Sequence, residues 1–280
     1  MPLGGPKPRA LLASLALEAG RVVSVDRLVE ALWPGDPPET AAHAVQVYVS
    51  QLRKALGPVL TTRAPGYELE LAPEHIDVHR FVRLAQEGRA ALTGGDPVAA
   101  EGAMRLALAL WRGPALADFV YEPFAQNEIA RLEELRTVVL EERIDADLAL
   151  GRHAELVSEL EALVQAQPLR EGPRAQLMLA LYRSGRQADA LAAYRAARQT
   201  LVDELGIDPG PELRELEAAI LRQDESLLLD EAVTAKPAMQ FRRLVTVLFV
   251  DVVESMALAE ALDAEALGRV LQRYFDTVSA

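Results

Sequence analysis

Over the first 72 residues, apolar side chains recur three times at helical spacing and then in alternation. In the stretch 9–19, RALLASLALEA, Leu11, Leu12, Leu15 and Ala19 fall at three- and four-residue steps, and Gly20 supplies a C-terminal stop. Val22-Val23 reads as a short extended piece. Ser24 is a good N-cap for VDRLVEALW, with Val25, Leu28, Val29 and Leu32 inward and Pro34-Gly35 at its end. After Pro37-Pro38 a third helix opens at Thr40, with Val45, Tyr48, Val49, Leu52 and Leu56 as its apolar stripe. The opposite face carries His43, Gln46, Val47, Ser50, Arg53 and Lys54. Gly57-Pro58 stops it, and then Tyr67, Leu69 and Leu71 alternate with Glu68 and Glu70, the period of a half-buried strand. Pro65-Gly66 supplies the hairpin turn. Three short helices closed by a hairpin predict a winged helix-turn-helix over residues 1–72.

Beyond Pro73–Asp77 the period of two disappears. Helical patterns cover 78–93, with Phe81, Leu84 and Ala85 inward, and 97–112, with Met104, Leu108 and Trp111 inward. Gly94 to Pro97 turns between them, and a long helical pattern runs from Glu122 to Leu150. Gly151-Arg152 and Gly185-Arg186 lie 34 residues apart, each between a helix end and a new helical stretch. That is the tetratricopeptide (TPR) length, so residues 77–223 read as a helical-repeat module closed by a helix over Glu212 to Arg222. Residues 224–240 form a linker. In 241–280 the apolar run Leu244 to Val250 reads as a buried strand with Asp251 at its end, followed by helical patterns over 257–262 and 264–275. The fold class is therefore mainly α: a winged helix with a wing hairpin, a TPR-like module, and a short β-α stub.

Charge sharpens this division. The net −13 of the 280 residues lies entirely after residue 72, since residues 1–72 hold seven Lys/Arg and seven Asp/Glu. An acidic remainder repels DNA and points to protein partners for the long middle. Within residues 40–67 there are three cations, Arg53, Lys54 and Arg63, and no Asp or Glu. The absence of Cys excludes disulfides, thiolate zinc sites and a Cys nucleophile, and the His at 43, 75, 79 and 153 are scattered. No apolar run spans a bilayer and no signal peptide is visible, so the expected compartment is the cytoplasm and no cofactor is called for.

The polar helix face and the tip behind it suit a DNA groove. Gln46 can pair bidentately with adenine, and His43 and Ser50 can reach base edges or phosphates; Val47 lies on the same face. Thr40, Arg53 and Lys54 suit phosphates, while Thr61, Thr62 and Arg63 on the wing suit the backbone or the adjacent minor groove. Trp111 and Tyr182 sit on apolar stripes and read as core. Arg152 and Arg186 either bind an anion or solvate a turn.

The pieces GGPKPRALLASLAL, VSVDRLVEALWPG, HAVQVYVSQLRKALG and RAPGYELEL resemble the OmpR/PhoB-type winged helix in the form found in SARP-like antibiotic-regulatory activators. The spacing V-Y-V-x-x-L-R-K-x-L and the P-G-Y turn are the most specific parts. The family usually sets a small sheet before the first helix; this chain opens at Met1-Pro-Leu-Gly-Gly-Pro, so most of that sheet is expected to be missing. It also favours Asn where this chain has His43. Residues 77–223 resemble the bacterial transcriptional activator domain through ALWRGPALADF, EERIDADLALGRHAELVSELEALV and PLREGPRAQLMLALYRSGRQADALAAYRAAR. This resemblance implies an activator on promoter repeats, bound to double-stranded DNA as a homodimer, whose helical module pairs protomers and contacts RNA polymerase.

FRRLVTVLFVDVVESM resembles the opening of a class III adenylate/guanylate cyclase, whose first strand ends in a metal-binding Asp, here Asp251. The usual Gly-Ser/Thr-Thr is replaced by Glu254-Ser255-Met256, and the second metal carboxylate of such domains does not follow. Asp251 is thus a vestigial metal candidate, and no catalysis is expected from this segment. The alternative is the front part of a multidomain cyclase whose helical repeats sense a partner.

Overall fold

The computed structural model describes residues 3–228 together with Ala266. The expected linker end and the cyclase-like strand with Asp251 lie outside the described residues.

Helix α1 (Pro6–Leu17) begins three residues before the helical pattern suggests. Pro6 and Pro8 are tolerated because N–H groups of a first turn have no partner inside the helix. Strand β1 (Val22–Ser24) leads into α2 (Val25–Leu32), which Ser24 caps by accepting from Arg27 N–H at 3.3 Å. Next come α3 (Ala41–Leu56), β2 (Leu60–Arg63) and β3 (Gly66–Leu69). The sheet has the order β1-β3-β2, antiparallel throughout, with Arg63 opposite Gly66 and Ser24 on the other side of Gly66. The hairpin turn is thus Ala64-Pro65, and Gly66 already belongs to β3. It must be glycine for a steric reason: a Cβ there would lie 1.9 Å from the Val23 carbonyl oxygen. Leu11, Leu15, Leu28, Leu32, Val45, Val49, Leu52, Leu60, Tyr67 and Leu69 form one core under this sheet.

The remaining described chain is helical: α4 (Asp77–Thr93), α5 (Pro97–Leu108), α6 (Pro123–Ala149), α7 (His153–Ala166), α8 (Glu171–Arg183), α9 (Gln187–Leu205) and α10 (Pro211–Arg222). The repeat shows in the backbone, since Gly151 and Gly185 both take left-handed conformations, with φ of 78° and 75°. Helix α5 stops at Leu108 rather than at residue 112. Leu110 and Trp111 donate to Ala107 and Leu108 carbonyls at 3.1 Å, a tightened last turn. Trp111 therefore lies in the loop, edge-on to Phe81 at 5.3 Å, while Tyr182 packs half-buried against the core of α6–α10.

The loop before α6 and the first turn of α6 join the two parts. Phe119 and Phe124, with ring centroids 5.8 Å apart, pack against the winged-helix core, and Asp118 pairs with Arg9 of α1. Among the described residues no helix is long and apolar enough to cross a membrane.

Three arginines converge on one buried carboxylate in the helical part. Asp147 accepts from Arg143 at 2.9 Å, Arg152 at 2.7 Å and Arg105 at 3.2 Å, with Asp147 1% and Arg143 4% exposed. Arg152 also reaches Glu101 at 2.9 Å and Arg186 pairs with Asp189 at 2.7 Å, so both turn arginines are held by carboxylates of their own chain.

Nearby, burial pushes the Asp145 carboxyl up to about 6 despite a hydrogen bond from Gln176 at 2.7 Å, and Glu141, Glu212 and Glu142 add to the rise. The residue as a whole is nonetheless exposed, so solvent screens the effect well below its full linkage value. Because the folded value exceeds the unfolded one, the ionised carboxyl costs stability above pH 6, and the cost disappears as pH falls through 6 toward the ordinary range near 4. Asp145→Asn should therefore stabilise the protein at pH 7 and leave it unchanged at pH 4. Urea midpoints of both proteins at the two pH values check this.

Candidate nucleic-acid interface

Helix α3 is positioned by its own stripe. Val45, Val49 and Leu52 are buried in the winged-helix core, and this fixes what points away. His43, Gln46, Val47, Ser50 and Lys54 are exposed, and Thr40 at the N-cap is exposed with no cap hydrogen bond from its side chain. Steps of three and four residues put His43, Gln46/Val47, Ser50 and Lys54 in one row along the helix. Lys54 makes no ion pair among the described residues, while Arg53 is half-buried and otherwise engaged.

Arg53 ties the helix to the wing. Its Nε donates to the Leu60 carbonyl at 2.7 Å and its terminal nitrogen to Thr62 Oγ1 at 2.7 Å, with the guanidinium 5.9 Å from the Tyr67 ring centroid. The residue fixes the angle between α3 and the hairpin, and much of its donor capacity is used inside the protein.

The wing carries more acid than a count over residues 40–67 shows, because that window stops one residue short of Glu68. Arg63 lies 3.5 Å from Glu68 and 3.1 Å from Glu70. Glu70 also accepts from Thr61 at 3.0 Å, and the hydrogen bonds from Thr61 and then Arg63 hold its carboxyl below the usual carboxylate range. The signal was in the hairpin itself. A two-residue turn after Arg63 puts Thr61 opposite Glu68, within reach of Glu70 just beyond the end of β3. The ten expected residues thus lie on α3, at its N-cap and on β2, but Arg53, Thr61, Thr62 and Arg63 meet protein partners first.

A three-helix core, a half-polar α3 and a braced hairpin define a winged-helix protein with a TPR-like helical module behind it. The chain belongs to the bacterial SARP-like transcriptional regulators: the family described as Transcriptional regulatory protein, C terminal, matches residues 3–69, and the Bacterial transcriptional activator domain matches residues 76–221. The regulatory protein AfsR of Streptomyces coelicolor is 48% identical over 237 residues, 84% of this chain and 24% of its own length. The regulatory protein DnrI of Streptomyces peucetius is 44% identical over 233 residues, 79% of this chain and 86% of that protein. Against AfsR of S. coelicolor and of Streptomyces griseus, the chain spans only 24% and 23% of the relative's length. A solved structure, Mycobacterium tuberculosis EmbR in complex with a low affinity phosphopeptide, superposes with a TM-score of 0.78 at 40% identity, covering 84% of this chain and 63% of that one.

Proposed function

We propose that this chain is a DNA-binding transcription activator, with domains over 1–72 and 77–223, that places α3 in the major groove and its wing on the flanking backbone. The observation that carries this is the exposed row His43, Gln46, Ser50 and Lys54 on a helix whose other face is locked in the core. Gln46 and His43 supply base-edge chemistry; Lys54 and Thr40 supply phosphate contacts. Few cations are available per protomer, so tight binding calls for two copies on repeated half-sites. The helical module is the part that pairs them and meets RNA polymerase in the cytoplasm. The family match and the regulator names of the relatives support this assignment over an enzymatic one. The cyclase alternative has only the sequence of 241–280 behind it.

An electrophoretic shift on the duplex upstream of its own gene tests the assignment. Retardation that weakens with salt by a slope near −0.9 for each phosphate neutralised is expected, and no retardation at low salt would count against it. Lowering the acid around the wing cation should tighten binding. Glu70→Gln removes a negative charge near the phosphates and leaves Arg63 with Glu68 as its remaining carboxylate partner, so affinity should rise about threefold and the salt slope should steepen. A titration at two salt concentrations reads both.

A further inference from the structure

We propose that the cavity beside Trp111 binds an uncharged, ring-bearing small molecule. The cavity has a volume of about 520 Å³, inside the range of roughly 300–1,000 Å³ that small-molecule sites occupy. Its wall is mostly apolar: Val78 and Phe81 of α4, Leu110 and Trp111 of the loop after α5, Leu132 of α6, and Phe119. Aromatic walls of this kind favour flat rings in edge or offset contact.

Charge decides the class of ligand. The charged residues lining the cavity are Asp77, Arg112 and Asp118. Asp77 pairs with Arg112 at 3.2 Å, and Asp118 pairs with Arg9. Each lining charge already faces an opposite one, so the cavity offers an ionic group no unbalanced counter-charge. The first backbone amide beyond Pro114 is also engaged, since Ala115 N–H donates to Glu133 at 2.8 Å. What remains is apolar surface with a paired polar rim, which suits a neutral molecule.

The backbone gives a second, independent sign. Leu116, on the cavity wall, holds φ 46° and ψ 41°, the left-handed region that bulky side chains avoid. Such strain persists only where the surroundings over-determine it, and it concentrates at ligand clamps and switch regions. Here the loop is held on both sides of Leu116, by the Ala115–Glu133 bond and by Phe119 N–H donating to the Leu116 carbonyl at 2.7 Å. The same loop carries Asp118 and Phe119, which grip the winged helix through Arg9 and its core. The cavity therefore sits where the DNA-binding part meets the helical module, the kind of junction where ligand sites are common.

Two probes with one ring framework test this. N-phenyl-1-naphthylamine is uncharged, and 1-anilinonaphthalene-8-sulfonate adds a negative charge. The chain has two tryptophans, so Trp33→Phe leaves Trp111 as the sole donor for energy transfer to either probe. The neutral probe should quench Trp111 saturably at one site per chain, and the sulfonate should bind about tenfold more weakly. Gly113→Phe should weaken the neutral probe by about tenfold, because Gly113 lines the cavity and a Cβ there meets open space, so bulk can be added at its wall. Ala117→Leu adds bulk at a second lining residue, and each variant is first checked for an unchanged melting temperature. Quenching that never saturates, or that both filling variants leave unchanged, overturns the site. Tighter binding of the sulfonate overturns the assignment to uncharged ligands.

Discussion

Gly66→Ala should dismantle the winged helix. An alanine Cβ at this position would lie 1.9 Å from the Val23 carbonyl oxygen and 2.7 Å from Ser24 Cα and the Val23 carbonyl carbon. All three are backbone atoms, so no side chain can swing aside, and β1 must leave β3. That loses the register Val22↔Glu68, Val23↔Tyr67 and Ser24↔Gly66, the Val25 N–H bond to the Pro65 carbonyl at 3.3 Å, and the burial of Val23. A loss of about 4 kcal/mol or more is expected, which is large against a typical domain stability of about 5–15 kcal/mol. The wing would no longer be held against α3, and DNA binding should vanish while the helical part stays folded. Thermal unfolding should separate into two steps, the first well below that of the parent. Gly102→Ala is the matched control. It lies within α5 with nothing near its would-be Cβ, and it should stabilise the helix by up to about 1 kcal/mol.

Removing the carboxylate at the centre of the helical part should be nearly as damaging. Asp147 is buried to 1% exposure and balances Arg143, itself 4% exposed, together with Arg105 and Arg152. Asp147→Ala leaves the buried Arg143 guanidinium with Glu159 as its remaining carboxylate partner. Breaking a buried pair from one side costs about 3–5 kcal/mol, because the surviving charge stays in a poorly solvated place. Asp147→Asn keeps an acceptor and should fall between that value and the parent. Arg105→Ala, at 55% side-chain exposure, should cost under about 1 kcal/mol. Urea unfolding of the three variants orders them, and a cost below about 1 kcal/mol for Asp147→Ala would show that the arginines re-solvate freely.

The sequence was most legible where periodicity and burial coincide. The stripe Val45, Val49 and Leu52 fixes which face of α3 is buried, so the exposed row could be named without coordinates. The 34-residue spacing of Gly151 and Gly185 marked the repeat because both turns need a left-handed residue. Legibility ended where long side chains choose partners across elements. Nothing in the linear order says that Arg53 reaches back to the Leu60 carbonyl, or that Asp147 gathers arginines from α5, α6 and the turn before α7. The helix pattern also ran past Leu108 to residue 112, because Leu108 and Trp111 keep helical spacing even though Trp111 turns back onto Phe81 in a loop. Gly66 illustrates the same limit. Its place in a Pro-Gly pair suggests a turn, but its small size answers to β1, more than forty residues earlier.

The claim that α3 reads bases through its exposed row is tested most directly by selecting bound duplexes from a random library, once with the parent chain and once with Gln46→Ala. The parent should enrich a motif of repeated half-sites, and the variant should enrich the same spacing with relaxed preference at one adenine position in each half-site, a change of about 1–3 kcal/mol in discrimination at that base. An identical motif from both proteins, or no enrichment by the parent at all, would contradict base reading by this face.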